Sequence, residues 1–221
     1  MNCPRLWFAV AVTAGLAAAA CLMANDSSKR SPLPAPKGEG KMSLEQSLNK
    51  RRSVRRFSPG ALSRQQIAQL CWAAQGVSDP ERGYRTCPSA GALYPLELYI
   101  VTAAGVEHYI PDRHVTEKHL DGDLRRDLQA AAMGQSCVGQ APATFVFTAV
   151  VSRTQRKYGQ RAERYVWIEV GHAAQNLLLQ ATAMKLGAVP VGAFQDKEIA
   201  KALSLPADQA PLYLIPVGMP K

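Results

Sequence analysis

The segment 50–57 holds the residues of this 221-residue chain whose types and spacing best suit an anion. Arg51, Arg52 and Ser53 stand in consecutive positions. Three more basic residues flank them, namely Lys50, Arg55 and Arg56. A guanidinium group matches phosphate oxygens with paired hydrogen bonds, and a neighbouring hydroxyl adds a further donor. The segment therefore predicts a phosphate site, and the alternative is a solvated Arg-rich turn.

Two further segments are rich in small residues, which let backbone amides approach a flat ligand closely. In the first, 87–95, the candidate contact residues are Pro88, Ser89, Ala90 and Gly91. In the second, 189–194, they are Val191, Gly192 and Ala193. Each segment could equally be an ordinary loop beside a strand. Neither therefore indicates a ligand by itself.

The elements that must position these residues begin with two predicted helices. Ser43 and Ser63 are each followed three residues later by glutamine, which is the pattern of a capping box. The second helix is predicted to end at Gly76. Its buried face has the spacing i, i+3, i+4, i+7 and consists of Ile67, Leu70, Cys71 and Ala74.

The remainder of the chain predicts a sheet and a long helix. Strands are expected at 96–101, 107–110, 144–151, 188–191 and 212–216. The third is nearly all apolar, as a central strand would be. Shorter helices are expected at 124–132 and from Asp196 onward. The proline-free stretch 161–186 predicts a helix that is apolar on several sides, which a dimer partner could help to bury.

The first 41 residues have the composition of a leader and a linker. One basic residue, Arg5, precedes an apolar run over 6–20 that is short for a membrane span, as in a secretory signal peptide. Cys21 follows four alanines and is an alternative lipid-attachment site, so we expect export to the periplasm or anchoring to a membrane. The proline-containing tract up to residue 41 predicts a linker over 21–41, with the folded domain at 42–221.

Charge and cysteine content exclude several classes. The net charge is +9, but there is only one dense basic cluster and no basic stripe with interleaved aromatics, so no nucleic-acid partner is expected. The cysteines beyond the leader lack CxxC spacing, and neither they nor the histidines predict a metal site. A disulfide between Cys87 and Cys137 is an open alternative in an oxidising compartment.

Taken together and in order, these segments resemble the nitroreductase superfamily, particularly its SagB-type branch, whose best-described members oxidise azolines to azoles. The resemblance covers essentially the whole chain after the linker. It is carried by RRSVRRF (51–57), PSAGALYPLELY (88–99), KYGQRAERY (157–165), GHAAQNLLLQATAMKLGAVPVGAF (171–194) and PLYLIPVG (211–218). It implies an α+β three-layer sandwich with a central mixed or antiparallel sheet. It also implies a homodimer built on the long helix, with FMN between the subunits.

The same resemblance assigns roles to the candidate residues. Arg51, Arg52 and Ser53 are similar to groups that hold the FMN phosphate and ribityl chain. The 88–91 loop resembles one that faces the flavin, from the other subunit. The stretch 191–193 is similar to one whose backbone N–H faces flavin N5. Lys157 and Tyr158 match a Lys-Tyr pair that azoline dehydrogenases use as a general base and its neighbour, although a solvated pair is the alternative.

One departure from the family's pattern concerns the FMN phosphate. The family usually ends in Gly-Arg-Pro, whereas this chain has Met219 between Gly218 and Pro220. Methionine cannot donate a hydrogen bond, and Lys221 or Arg55 are candidates to replace the arginine. FMN binding weaker than in the family, or absent, is therefore an alternative.

The function that these resemblances imply is FMN-dependent hydride transfer. The expected small-molecule substrates are a nicotinamide donor, NAD(P)H, and a nitroaromatic or quinone acceptor. Two alternatives stay open: oxidation of an azoline-like heterocycle, and a module that binds flavin or another ligand without turnover.

Overall fold

A seven-stranded sheet forms the middle layer of the computed structural model, which describes residues 30–221. The strands are β1 (Arg30–Pro32), β4 (Leu96–Thr102), β5 (Gly105–Ile110), β6 (Val115–Asp121), β7 (Ala143–Ala149), β8 (Gly187–Ala188) and β9 (Ala210–Gly218). Their order is β1-β6-β5-β4-β7-β9-β8, and every neighbouring pair is antiparallel. A separate hairpin joins β2 (Val77–Asp79) to β3 (Tyr84–Arg85).

Strand β7 shows why the sheet is covered on both faces. All seven of its residues are buried, and it pairs with β4 on one side and β9 on the other. A strand buried on both faces requires apolar residues at successive positions instead of alternate ones. The predicted central strand at 144–151 is thus confirmed, although it ends at Ala149 because a helix begins at Val151.

Within residues 30–221, seven α-helices pack around this sheet. They are α1 (Leu44–Lys50), α2 (Arg64–Gln75), α3 (Arg125–Ala131), α4 (Ser136–Gln140), α5 (Val151–Tyr158), α6 (Ala162–Ala183) and α7 (Asp196–Ala202). One apolar cluster joins α2 and α6 to one face of the sheet. A second cluster joins α3, α4 and α7 to the opposite face. The predicted three-layer α+β sandwich is therefore confirmed, with an antiparallel sheet.

The first two helices begin where their local sequence predicts. Ser43 and Ser63 both form complete capping boxes, with the hydroxyl accepting from the third amide and the glutamine reaching back. Gly76 ends α2, as expected. Helix α6 has 22 residues and is about 33 Å long at 1.5 Å per residue.

Part of the predicted linker is folded, which corrects the domain boundary. Residues Arg30–Pro32 pair with β6, and Leu33 is buried in the apolar cluster of α2 and α6. The Lys37 backbone exchanges two hydrogen bonds with the Gln69 side chain, at 2.8 and 3.1 Å. The linker prediction over 21–41 is therefore wrong from residue 30 to residue 37. The predicted leader and Cys21 lie outside the described residues.

The cysteines give a second correction. Cys71, Cys87 and Cys137 are free and buried. Cys87 belongs to the cluster on the α2 and α6 face, whereas Cys137 belongs to the cluster on the opposite face. The sheet therefore separates the two thiols for which a disulfide was an alternative. Within residues 30–221 no helix combines the length and apolarity needed to cross a bilayer.

Candidate functional site

The basic segment leaves α1 and runs along the edge of the sheet next to β8. Ser53 forms a parallel bridge with Ala188, and the Val54 amide donates to the Ala188 carbonyl at 3.0 Å. Gly187 is required here, because a Cβ on it would lie 2.7 Å from the Val54 side chain. The structure thus brings the predicted phosphate-binding segment beside the start of the 189–193 loop.

The charges of this segment are not neutralised by acidic side chains of residues 30–221. None of the ion pairs in that range involves Lys50, Arg51, Arg52, Arg55 or Arg56. Arg51 is half-buried, whereas Arg52 and Ser53 are exposed. The Arg52 guanidinium donates to the carbonyls of Asn49 and Arg51 at 2.9 and 2.7 Å, so it also closes the end of α1.

The 189–193 loop is held in place by β9 and presents two exposed amides. Val191 exchanges backbone hydrogen bonds with Leu214 at 2.8 and 3.1 Å. Gly192 and Ala193 follow and are exposed. Their amides donate to no other residue in the described part of the chain. A cavity of about 290 Å³ adjoins Gly192, and Trp167 and Gly171 of α6 line its other side.

Residues 219–221 run antiparallel to 56–58. The Ser58 amide donates to the Met219 carbonyl at 2.8 Å, and the Lys221 amide donates to the Arg56 carbonyl at 3.2 Å. Met219 is 47% exposed. Met219, which stands where the family usually has arginine, therefore lies next to the basic segment. Lys221 adds a cationic residue beside Arg56.

The 88–91 loop meets the predicted Lys-Tyr pair. Gly91 has φ +65, a conformation that favours glycine. A Cβ at this position would lie 2.9 Å from the Tyr158 hydroxyl and 3.0 Å from the Lys157 ammonium, at the end of α5. Tyr158 also packs edge-on against Tyr165, with 4.9 Å between the ring centroids. Lys157 is exposed, so one chain alone does not provide the burial that a lysine base requires.

The hydroxyl of Ser89 is already engaged within the chain. It donates to the Glu169 carboxylate at 2.7 Å and accepts from the Tyr94 amide at 2.9 Å. Pro88 is exposed and Ala90 is half-buried beside it. The family resemblance places Ser89 in a loop that faces the flavin. In this structure, however, the Ser89 hydroxyl hydrogen is donated to Glu169.

Helix α5 is fixed to the same loop by Arg153. Its guanidinium donates to the Tyr94 carbonyl at 3.1 Å and forms an ion pair with Glu97 at 2.5 Å. The second oxygen of Glu97 lies 2.7 Å from His108 Nε2. Burial alone would raise the pKa of Glu97, but His108 and Arg153 together lower it below its ordinary value of 4.5.

The candidate residues therefore form two groups. Residues 51–53 and 191–193 make one, and residues 88–91 with Lys157 and Tyr158 make the other. Within the described residues no hydrogen bond or ion pair joins the groups directly. Helix α6 passes between them, because Glu169 contacts Ser89 while Trp167 and Gly171 line the cavity at Gly192.

Sequence reasoning did not identify Glu169. The signal was present, because Glu169 stands three residues after Val166 and four before Ala173, which are both buried. An acidic residue on the apolar face of a helix must be paired or must serve a site. The sequence does not show which partner it meets, since Ser89 lies 80 residues away.

Comparison with known proteins agrees with this architecture. The family model for nitroreductases, described as "Nitroreductase family", matches residues 48–219. The nitroreductase homologue MJ1384 of Methanocaldococcus jannaschii is 45% identical over 181 residues, covering 79% of this chain and 90% of that protein. The microcin B17-processing protein McbC of Escherichia coli is 26% identical over 155 residues, covering 65% of this chain and 57% of McbC.

A crystal structure of a nitroreductase homologue from Ralstonia eutropha superposes with a TM-score of 0.80 at 31% identity. The superposition covers 87% of this chain and 90% of that one. The family model, the archaeal relative and the shared fold agree with one another and with the order of the motifs along the chain. The chain belongs to the nitroreductase family of oxidoreductases.

Proposed function

We propose that this protein binds FMN and transfers hydride between a reduced donor and an electron-poor acceptor. The observation that carries the proposal is the junction of Ser53 with Ala188. It places a basic segment that has no acidic partner within residues 30–221 beside the amides of Gly192 and Ala193, which donate to no residue of that range. These are the two kinds of donor that the phosphate and the ring edge of a flavin nucleotide need.

The phosphate end fits the basic segment. A phosphate would meet Arg51, whose guanidinium has no ion-pair partner among the described residues, and the exposed Ser53 hydroxyl. The Arg52 guanidinium would either break its hydrogen bonds to the Asn49 and Arg51 carbonyls to reach the phosphate, or bind the phosphate with its remaining N–H groups. Lys221 supplies the cation that Met219 does not.

The ring end fits the 191–193 loop. When bound, FMN would supply the redox chemistry by accepting a hydride and passing it to the acceptor. The amides of Gly192 and Ala193 would donate to the ring edge, where a fixed donor stabilises the negative charge that reduction brings. The β9 strand holds Val191 and so keeps these donors in place.

A homodimer completes this proposal. Helix α1 buries only Ser47, and leaves Leu44 and Leu48 61% and 53% exposed. Helix α1 packs on α6, which exposes Trp167 and Ile168 at 57% and 48%. Apolar surface of this extent on neighbouring helices suits a subunit interface. A second copy would bring its 88–91 loop to the first copy's flavin site and cover Lys157.

The substrates that we propose are small molecules. NAD(P)H would be the donor, and a nitroaromatic or quinone would be the acceptor. The cavity beside Gly192 has Trp167, Phe194 and Tyr213 in its wall, which suits flat, apolar acceptors.

A second candidate reaction is oxidation of an azoline-like heterocycle. It is favoured by the contact of Lys157 and Tyr158 with Gly91, which aims both groups at the loop that would face the flavin. The resemblance of the motifs at 88–99 and 157–165 to the SagB-type branch supports the same reaction. In this reaction Lys157 would remove a proton from the substrate, and Lys157→Ala would abolish azoline oxidation while leaving nicotinamide oxidation intact.

The visible absorbance of the purified protein tests the cofactor. We expect a flavin spectrum, and we expect Arg51→Ala/Arg52→Ala to lose nearly all of it, because the phosphate loses its two nearest guanidiniums. The matched control is Arg113→Ala/Arg126→Ala, which removes the same charge from exposed positions elsewhere. Full occupancy in the first variant would contradict the phosphate assignment, and flavin without turnover would indicate a binding module.

We also propose that the protein is exported, either to the periplasm or to a lipid anchor at Cys21, on the composition of residues 1–21. Mass spectrometry of the mature N-terminus, with Cys21→Ser as the comparison, decides between cleavage and acylation.

A further inference from the structure

Glu169 is a buried acidic residue of α6 that faces the 88–91 loop and Arg85. It is 3% exposed, although Val166, Val170 and Ala173 of the same helix belong to the apolar cluster. One carboxylate oxygen accepts from Ser89, and the other, Oε1, has no partner among the described residues. Burying a carboxyl costs free energy unless the group is hydrogen-bonded or paired with a charge. The contacts that Glu169 makes therefore need an explanation.

We propose that Glu169 is a positioning residue, whose carboxyl holds Ser89 and thereby fixes the Ala90–Ala92 turn against Lys157 and Tyr158. The turn is a candidate flavin contact, so the positioning role of Glu169 in catalysis rests on the proposed function. The hydrogen bond by which Glu169 holds Ser89 does not, because both residues belong to the same chain.

The hydrogen bonds form a directed chain. The Tyr94 amide donates to the Ser89 hydroxyl at 2.9 Å, and that hydroxyl donates to Glu169 at 2.7 Å. With its hydrogen directed at Glu169, the Ser89 oxygen presents a lone pair to the Tyr94 amide. The Tyr94 bond closes a ring of residues 89–94 around the turn, the Glu169 bond ties that ring to α6, and Arg153 donates to the Tyr94 carbonyl.

The turn has little room to move independently. Lys157 and Tyr158 lie so close to Gly91 that a Cβ there would meet both side chains. A shift of Ser89 would thus be transmitted to the Lys-Tyr pair. Glu169 acts on the candidate reacting groups through two intermediates, which is why we assign it a positioning role and no direct chemistry.

The surroundings of Glu169 are polar in an unusual way for a core. Arg85 lies near it, and the Cys87 thiol contacts its backbone carbonyl at 3.6 Å. Arg85 donates to the buried Gln75, and both Arg85 Nε and Gln75 Nε2 lack partners among residues 30–221. Glu169 therefore stands in a cluster of buried polar side chains, with Ser89, Arg85 and Gln75.

Ionisation supports the same role. Burial raises the pKa of Glu169 to about 7, although the Ser89 hydrogen bond, Arg85 and the Ala90 amide each lower it. The charged and titratable groups that face this carboxyl are Arg85 from β3 and the Cys87 thiol. The Ser89 hydrogen bond lowers this pKa, so that bond is stronger to the carboxylate than to the neutral acid, while burial opposes ionisation.

Hydrogen exchange of the cofactor-free protein tests the hold, with Glu169→Ala, Glu169→Gln and Ser89→Ala as variants. We expect exchange of segment 88–95 to accelerate on the order of tenfold in both alanine variants and to stay near wild type in Glu169→Gln, whose amide oxygen still accepts from Ser89. Exchange of β7 should not change. Glu163→Ala, an exposed position on the same helix, is the matched control.

The pH profile of kcat/KM in the flavin-loaded enzyme is the second readout. The wild type should show an inflection near the pKa of about 7, and Glu169→Gln should lack it. Unchanged exchange in both alanine variants, or an inflection that persists in Glu169→Gln, would overturn the proposal. A wild type that binds no flavin would overturn the proposed function instead, and the exchange result would still decide the hold.

Discussion

Glu97 shows how a single residue at this site depends on distant parts of the chain. Its two oxygens meet Arg153 from α5 and His108 from β5, and its side chain is 13% exposed. Arg153 in turn reaches the Tyr94 carbonyl. One carboxylate therefore connects the sheet with the helix that carries Lys157 and Tyr158.

We predict that Glu97 stabilises the fold above pH 4.5 and loses this effect in acid. Its pKa is lowered in the folded chain, so its contribution is present above its ordinary value of 4.5 and disappears as pH falls through the folded pKa. Glu97→Gln should be less stable than wild type at neutral pH by about 1 kcal/mol. Urea unfolding should show that this difference in the free energy of unfolding disappears in acid. The control Glu39→Gln, at an exposed position, should be as stable as wild type at every pH. A difference between wild type and Glu97→Gln that is constant with pH would contradict the prediction.

The helices show what local sequence determines at the scale of an element. The α2 capping box places the Ser63 hydroxyl 3.2 Å from the Gln66 amide and the Gln66 oxygen 2.8 Å from the Ser63 amide. These contacts lie within four residues. The sequence was therefore sufficient to predict where α2 begins, and the all-apolar run of β7 was sufficient to predict a central strand.

We predict that Ser63→Ala destabilises the protein by about 1 kcal/mol, because it leaves a helix N-terminal amide without its acceptor. Denaturant unfolding measures the change. Ser152→Ala is the control, since Ser152 is exposed and lies outside any cap hydrogen bond of α5. Equal stability of the two variants would show that solvent replaces the cap.

Other elements could not be predicted because their residues form contacts far along the chain. The strand Arg30–Pro32 lies in a proline-rich stretch and becomes a strand only because β6 pairs with it, about 85 residues later. The place of Glu169 on the apolar face of α6 can be read from the sequence, but its partner Ser89, 80 residues away, cannot. The fold brings the predicted site residues into two groups, 51–53 with 191–193 and 88–91 with 157–158. Only the contacts of the folded chain reveal that α6 lies between these groups.

At the scale of the whole molecule, apolar surface is concentrated on α1 and α6. Leu44 and Leu48 lie one turn apart on α1, and Trp167 and Ile168 are adjacent on α6. The single chain leaves these residues exposed while it buries the opposite face of α6. This is the surface that the proposed homodimer would cover.

We predict that Leu48→Glu/Trp167→Glu converts the protein from a dimer to a monomer that remains folded. The two carboxylates would have to be buried without partners in the interface. Analytical ultracentrifugation gives the mass, and circular dichroism gives the fold. The control Met133→Glu alters a residue that is 63% exposed in the turn between α3 and α4, and it should stay dimeric. A dimeric double variant would place the interface elsewhere.

The positions of the free cysteines have a practical consequence for following how the protein opens. Cys71 and Cys87 lie in one layer and Cys137 in the other, and burial raises the pKa of all three thiols. An alkylating reagent reacts with the thiolate, so labelling requires the layer around each cysteine to loosen first. Peptide mapping after timed alkylation would therefore give a separate labelling rate for the cysteines on each side of the sheet. Equal rates would indicate that the two helical layers open in one cooperative step.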